Sequence, residues 1–193
     1  MRALSAHPRS LTVLLWHLAA ITFLFRWIFR DPKVDMRFLA AGVVLPDLID
    51  LTIATFVGTA TGELYAHSLI VPTIVAVVVL LTTRRGRRRR AWMALVVAWL
   101  LHLLIDQMWL DAEVFFWPVF GWDVIETGVG SFWPTAWDRA TSDVWRWVLE
   151  TIGLLYLVRL YFVSGLTDRS ARAELKQTGR LTDFTPQAPP PSC

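Results

Sequence analysis

Apolar positions in this chain fall into five long runs, divided by short charged or glycine-containing segments. The runs are 11–29 (LTVLLWHLAAITFLFRWIF), 38–57 (FLAAGVVLPDLIDLTIATFV), 65–83 (YAHSLIVPTIVAVVVLLTT), 91–110 (AWMALVVAWLLHLLIDQMWL) and 144–163 (VWRWVLETIGLLYLVRLYFV). At a helical rise of about 1.5 Å per residue each can cross a hydrocarbon layer of about 30 Å. The pattern predicts an all-α, polytopic membrane bundle of about five transmembrane helices, forming one domain over 1–163. Pro46 lies inside the second run, and Pro72 in the third is a candidate kink. The connection 30–37 (RDPKVDMR) has Pro32 as a breaker, and 58–64 (GTATGEL) reads as a short turn. Residues 111–143 form a long acidic, Trp-rich connection, whose start (DAEVFFWPVFGW) is apolar enough to lie in the membrane interface. The polar remainder, 164–193, ends in APPPSC and reads as a disordered cytoplasmic tail.

Lys and Arg are segregated. Arg30, Lys33 and Arg37 occupy the first connection, six Arg fill RRGRRRR (84–90), and Arg169, Arg172, Lys176 and Arg180 follow the last run. The 111–143 connection holds Arg139 against Asp111, Glu113, Asp123, Glu126, Asp138 and Asp143. Basic loops stay cytoplasmic, so the C-terminus is expected inside and the N-terminus and the acidic connection outside. RRGRRRR then reads as a topology anchor, with no nucleic-acid partner expected.

Composition supports the membrane reading: 55% of the 193 residues are hydrophobic, which exceeds the ordinary soluble share. The 11 Trp suit the two interfaces of a bilayer. The lone cysteine, Cys193, leaves neither a disulfide framework nor a cysteine-based metal site. The first apolar run is too long for a cleaved signal and is followed by FRWIFRDP instead of small residues.

Against this background the ionisable groups within the runs stand out. His102 and Asp106 are four apart and share one helix face. An imidazole beside a carboxylate suits zinc or a similar divalent metal, and it also suits a hydrogen bond between helices. Asp47 and Asp50, three apart, repel each other in a low dielectric unless a cation or shared protons intervene. His67 begins the third run, His17 lies in the first as an additional candidate ligand, and Glu150 lies in the fifth with Arg146 one turn away. In the predicted orientation all of these fall in the outer half of the bilayer. That clustering predicts a shared polar cavity opening outward. Ser68 beside His67 is no nucleophile–base pair, because sequence neighbours do not face each other on a helix. Trp117-Pro118 reads as an interfacial wedge.

Three motifs, LPDLID (45–50), AHSL (66–69) and HLLIDQMW followed by FFWPVFGW (102–122), resemble the YdjM-like family of predicted membrane-bound metal-dependent hydrolases. The family is distantly related to zinc-dependent phospholipase C and P1-type nucleases, all-helical enzymes that bind metals through His and Asp. The resemblance covers roughly 38–122 and implies metal ligation by Asp47, Asp50, His67, His102 and Asp106. Two departures are visible. Many members carry PDID, with the aspartates two apart, and many carry HRG-x-THS where this chain has GELYAHS, without one candidate ligand and an Arg.

The expected activity is therefore hydrolysis of a phosphoester of a lipid or lipid-linked substrate by a metal-activated water, with Asp106 or Glu150 as base. The expected metal is zinc, with manganese or magnesium as alternatives. The expected partners are membrane lipids, and the expected location is a bacterial or archaeal cytoplasmic membrane. Two other readings stay open: a small ion- or proton-handling transporter, and a structural membrane protein whose buried polar pairs only join helices.

Overall fold

A computed structural model describes residues 13–30, 33–59, 62–122, 133–134, 137, 141 and 143–181. Residues 1–12, the connection's Pro32, the acidic-loop residues Asp123, Glu126, Asp138 and Arg139, and 182–193 lie outside the described residues. Among those described, the structure is all-helical. Its helices are α1 (Leu14–Leu24, continued by a wider turn over Phe25–Phe29), α2 (Met36–Val57), α3 (Ile70–Thr82), α4 (Arg87–Ile105), α5 (Ala112–Phe115), α6 (Val144–Val163) and α7 (Arg169–Thr178). Tight three-residue helical turns occupy Tyr65–His67 and Met108–Leu110.

The bundle is built on α2 and α4, which share its most extensive contact. Gly42 makes their approach so close that a Cβ there would collide with the Leu95 carbonyl. Along one side, Leu39 and Val43 of α2 pack with Ala94 and Ala98 of α4 and with Ile21 and Phe25 of the first helix. Along the other, Leu95, Trp99 and Leu103 of α4 meet Ala66 and Met108 from the turns and Val114 and Phe115 of α5. Helix α6 packs on α1 at the edge, and Gly153 is its single buried residue.

Several boundaries differ from the hydropathy pattern for local reasons. The fourth run does not stay helical to residue 110: α4 ends at Ile105, and Gln107 takes the left-handed conformation at φ 55°. The third run opens with the Tyr65–His67 turn and an extended Ser68 before α3 begins at Ile70. Pro72 therefore falls in the first turn of α3, where a missing N–H costs no hydrogen bond, and it does not act as a mid-helix kink. Polarity predicts a tail from residue 164, yet the chain folds back there as α7. The Gly179 carbonyl accepts the Met36 N–H at 2.7 Å, Arg37 Nη1 donates to the Lys176 carbonyl at 2.6 Å, and Arg87 Nη2 donates to the Thr178 carbonyl at 3.0 Å. Cations at the carbonyl end of α7 also complement its dipole.

One described helix, Met36–Val57, is long and apolar enough to cross a membrane by length and composition, and Leu14–Ile28 and Ile70–Thr82 are shorter apolar helices. The α4 window opens on four arginines, and α6 carries Arg146, Glu150 and Arg159. The outward faces are nevertheless apolar. Phe56 is 86% exposed and Leu81 80%, and Leu155 and Phe162 of α6 are exposed as well. Exposed apolar surface of this kind is suited to contact with lipid or protein.

Two predictions concern this frame. Gly42→Ala should lower stability by about 1–3 kcal/mol, because the added methyl meets backbone that cannot move away; thermal unfolding in detergent measures it. Asp35 caps α2, accepting from Arg37 N at 3.1 Å, Nε at 2.9 Å and Nη2 at 2.7 Å. These bonds, the Arg37 side chain first, hold its carboxyl below the usual carboxylate range. A depressed folded-state pKa contributes stability above the unfolded value of about 3.9, and that stability is lost as pH falls through the folded value. The melting temperature should therefore fall between pH 6 and 3 more steeply in wild type than in Asp35→Asn, which keeps a capping side chain without the charge.

Candidate metal centre

The centre begins with Asp50 on α2. Its side chain is fully buried and accepts three hydrogen bonds: from Leu64 N at 2.7 Å, Ala66 N at 2.9 Å and His67 Nδ1 at 2.7 Å. It thereby wraps the Tyr65–His67 turn onto α2. Trp99 of α4 holds the same turn from the other side, its Nε1 donating to the Ala66 carbonyl at 2.9 Å. Leu69 N donates to the Phe115 carbonyl at 2.9 Å, and Tyr65 packs edge-on against Trp117 at 5.0 Å. The FFWPVFGW segment thus buttresses the turn that carries His67.

A carboxylate can only accept, so the Asp50 contact puts the proton of neutral His67 on Nδ1. The Nε2 lone pair then faces Asp47 Oδ1 at 3.5 Å and Asp106 Oδ2 at 3.8 Å. His102 comes from α4, with Nε2 3.0 Å from Asp106 Oδ2 and 3.6 Å from Asp47 Oδ1. Asp106 sits at the α4 C-terminus, where the break at Gln107 turns the chain away. One donor atom from each of Asp47, His67, His102 and Asp106 lies within 4.8 Å of the others. The two imidazoles are buried, and the two carboxylates are 16% and 10% exposed.

His17 reaches the rim of this group from α1. Its Nε2 is 2.8 Å from Asp106 Oδ1, and its ring centroid is 4.6 Å from that of His102. The Val13 carbonyl takes its Nδ1 at 2.8 Å. A carbonyl cannot donate, so the short contact with Asp106 needs a proton between the two atoms or a cation close by.

The donor set fits a divalent metal. Asp47 Oδ2 and His102 Nδ1 are buried without a hydrogen-bond partner among the described residues, and the Nε2 atoms of His17, His67 and His102 face carboxylate oxygens at 2.8–3.8 Å. Unsatisfied buried polar atoms are costly, and two carboxylates facing imidazole lone pairs repel unless positive charge lies between them. Two nitrogens and two carboxylate oxygens match zinc and related first-row ions.

Of the residues singled out by sequence, Asp47, His67, His102 and Asp106 converge, with His17 at the edge. Asp50 stands behind His67, and its oxygens are engaged by the turn. Glu150 lies apart from the four: both its oxygens accept the Leu15 N–H, at 3.2 and 3.1 Å. Arg146 Nε lies 3.6 Å from Asp143 Oδ2. Sequence reasoning passed over Trp99 and the Phe115 carbonyl. The one cue was a Trp mid-run, where an indole N–H must find a partner.

In metal-free protein, Asp50→Ala should be far more destabilising than Asp47→Ala. The first change strands three buried donors, each costing about 1–3 kcal/mol. The second relieves carboxylate repulsion. Chelator-treated variants compared by thermal unfolding test the order; equal losses would mean Asp50 does not anchor the turn.

No curated protein and no solved structure matches the chain. The family model described as YdjM inner membrane protein matches residues 9–171, which include every residue of the centre. The chain is a member of the YdjM inner membrane protein family.

Proposed function

We propose that the protein is a membrane-embedded, metal-dependent hydrolase of a phosphoester in a lipid or lipid-linked substrate. The observation that carries this reading is the convergence of Asp47, His67, His102 and Asp106 from α2, the 65–67 turn and α4, with His17 of α1 at the rim. Asp47, His67, His102 and Asp106 would hold the metal, zinc first by donor chemistry and manganese or magnesium as alternatives. When bound, such an ion supplies a polarising charge and acidifies a water at neutral pH.

The remaining work falls to the chain's own groups. Asp50 keeps the His67 lone pair directed into the centre. Asp106 faces His102 through Oδ2 and His17 through Oδ1, so one oxygen is available to a ligand and the other to a proton. Glu150, engaged on α1, is the weaker candidate for that base. The partly exposed edges of Asp47 and Asp106 are the side from which a substrate reaches the centre.

A lipid substrate is supported by the surroundings. Asp106 leads directly into Trp109 and Leu110, and Val119, Phe120 and Trp122 of the adjacent segment are exposed. Aromatic groups of this kind favour the bilayer interface. Five membrane crossings, with the centre in the outer half of a bacterial or archaeal cytoplasmic membrane, follow from the hydropathy pattern and the Lys/Arg asymmetry. The transporter reading shares the centre but predicts flux without product.

Elemental analysis of the detergent-purified protein tests the proposal. Wild type should carry about one or two equivalents of zinc or manganese, and Asp47→Ala and His102→Ala should carry none. Loaded wild type should release a phosphorylated headgroup from phospholipid vesicles. Absence of metal after reconstitution would remove the mechanism; metal without turnover on any phosphoester lipid would favour the transporter.

A further inference from the structure

Helix α6 has an unusual position: it is the outermost long helix, mostly exposed, and packs chiefly on α1. Its contacts with α1 form a ladder along one face, with Glu150, Gly153 and Tyr156 one turn apart. Both Glu150 oxygens accept the Leu15 N–H. Gly153 lets the backbone of Leu15 and Trp16 occupy the space of a side chain. Tyr156 meets Phe23 edge-on, ring centroids 5.9 Å apart.

Leu15 lies in the first turn of α1, where backbone N–H groups have no acceptor within the helix. A carboxylate there satisfies a donor and complements the helix dipole. The same turn sets His17. The Val13 carbonyl accepts both the His17 backbone N–H at 2.9 Å and its ring Nδ1 at 2.8 Å. The imidazole is therefore clamped to the helix start, and wherever that start goes, Nε2 goes with it.

We propose that Glu150 is a positioning residue of the metal centre: by capping the first turn of α1 it holds His17 Nε2 against Asp106 Oδ1, and so fixes the carboxylate that α4 contributes. This rests on the metal reading above. It gives the fifth apolar run a role in the centre although none of its side chains enters the four-residue group. It also assigns Glu150 to orientation instead of proton transfer. Only an acceptor oxygen is needed at the position, so glutamine can replace glutamate and alanine cannot.

The test uses the full chain in detergent, loaded with Co2+, whose visible absorption reports the ligand geometry directly. Wild type, Glu150→Gln, Glu150→Ala, His17→Gln and the Glu150→Ala/His17→Gln double variant are compared, with helical circular dichroism as the check on folding. His17→Gln and Glu150→Ala should shift the cobalt band in the same way and weaken Co2+ binding about 10- to 100-fold. The double variant should add nothing further, and Glu150→Gln should stay close to wild type. Should Glu150→Ala lose its helical signal, Glu150→Asp, one methylene shorter, reads the same displacement. A band unchanged in the folded alanine or aspartate variant, while His17→Gln shifts it, overturns the proposal and leaves the metal reading intact. Glutamine perturbing the band as much as alanine also overturns it, since the acceptor was retained. A wild type that takes up no Co2+ removes the metal reading and this proposal together.

Discussion

Much of the described structure depends on a buried carboxylate finding enough donors. Asp50 faces a full desolvation penalty, and it meets that penalty with two backbone N–H groups and an imidazole from a single short turn. The consequence reaches beyond one side chain. An extended, non-helical stretch before α3 becomes tolerable inside an apolar bundle because its donors have a fixed acceptor. Once the turn is held, His67 has a defined tautomer and one free lone pair, and that lone pair points toward Asp47 and Asp106. Trp99 and the Phe115 carbonyl secure the opposite side of the turn. Local backbone, core packing and the chemistry of the centre are thus linked through one residue of α2.

The fold was legible where periodicity and hydropathy act locally. The apolar runs became α1, α2, α3, α4 and α6, and of the polar residues within them Asp47, His67, His102 and Asp106 come together while Asp50 and Glu150 make other bonds. What could not be read was how each run ends. The stretch HLLIDQMW looks continuous in hydropathy, yet the helix stops at Ile105 and the chain reverses at Gln107. No glycine or proline marks that break, and Asp106 beside it faces His17 and His102. The same limit applied to Asp47 and Asp50. Spacing says that both lie on one face, but not that the second would be fully engaged by a turn folded from residues 64–67. Likewise, polarity alone suggested a tail after residue 163. The carbonyl end of α7 found Arg37 and Arg87, partners 139 and 91 residues away in the chain, and sequence pattern carries no such long-range information.

The two ends of the bundle have opposite electrostatic characters. At one end, α7 and the starts of α2 and α4 gather cations onto backbone carbonyls and Asp35, all within reach of water and of ordinary hydrogen bonding. At the other, carboxylates and imidazoles gather, facing one another at 2.8–3.8 Å. The first arrangement is self-satisfying, while the second is a group that could hold a metal ion. Buried like-charged or acceptor-only groups persist when function, instead of stability, selects them.

Why should such a centre be assembled from so many separate elements? A His–Asp pair on one helix could be accommodated by a single hydrogen bond across to a neighbour, and a structural membrane protein needs no more than that. Here α4 brings a His and an Asp, α2 brings a second Asp, the 65–67 turn brings a second His already oriented by a third carboxylate, and α1 brings another His clamped at a helix start. Each added group raises the electrostatic cost of the metal-free protein without improving the packing. Helix contact alone would favour removing these groups, because replacing buried polar pairs with apolar side chains is often neutral or stabilising. A bound cation reverses that balance: each carboxylate and each imidazole lone pair then contributes to holding it, and the orienting contacts from Asp50 and the first turn of α1 become useful instead of redundant. The convergence of several independently oriented donors, more than any one pair, is what supports the proposal of a metal centre over a polar helix contact.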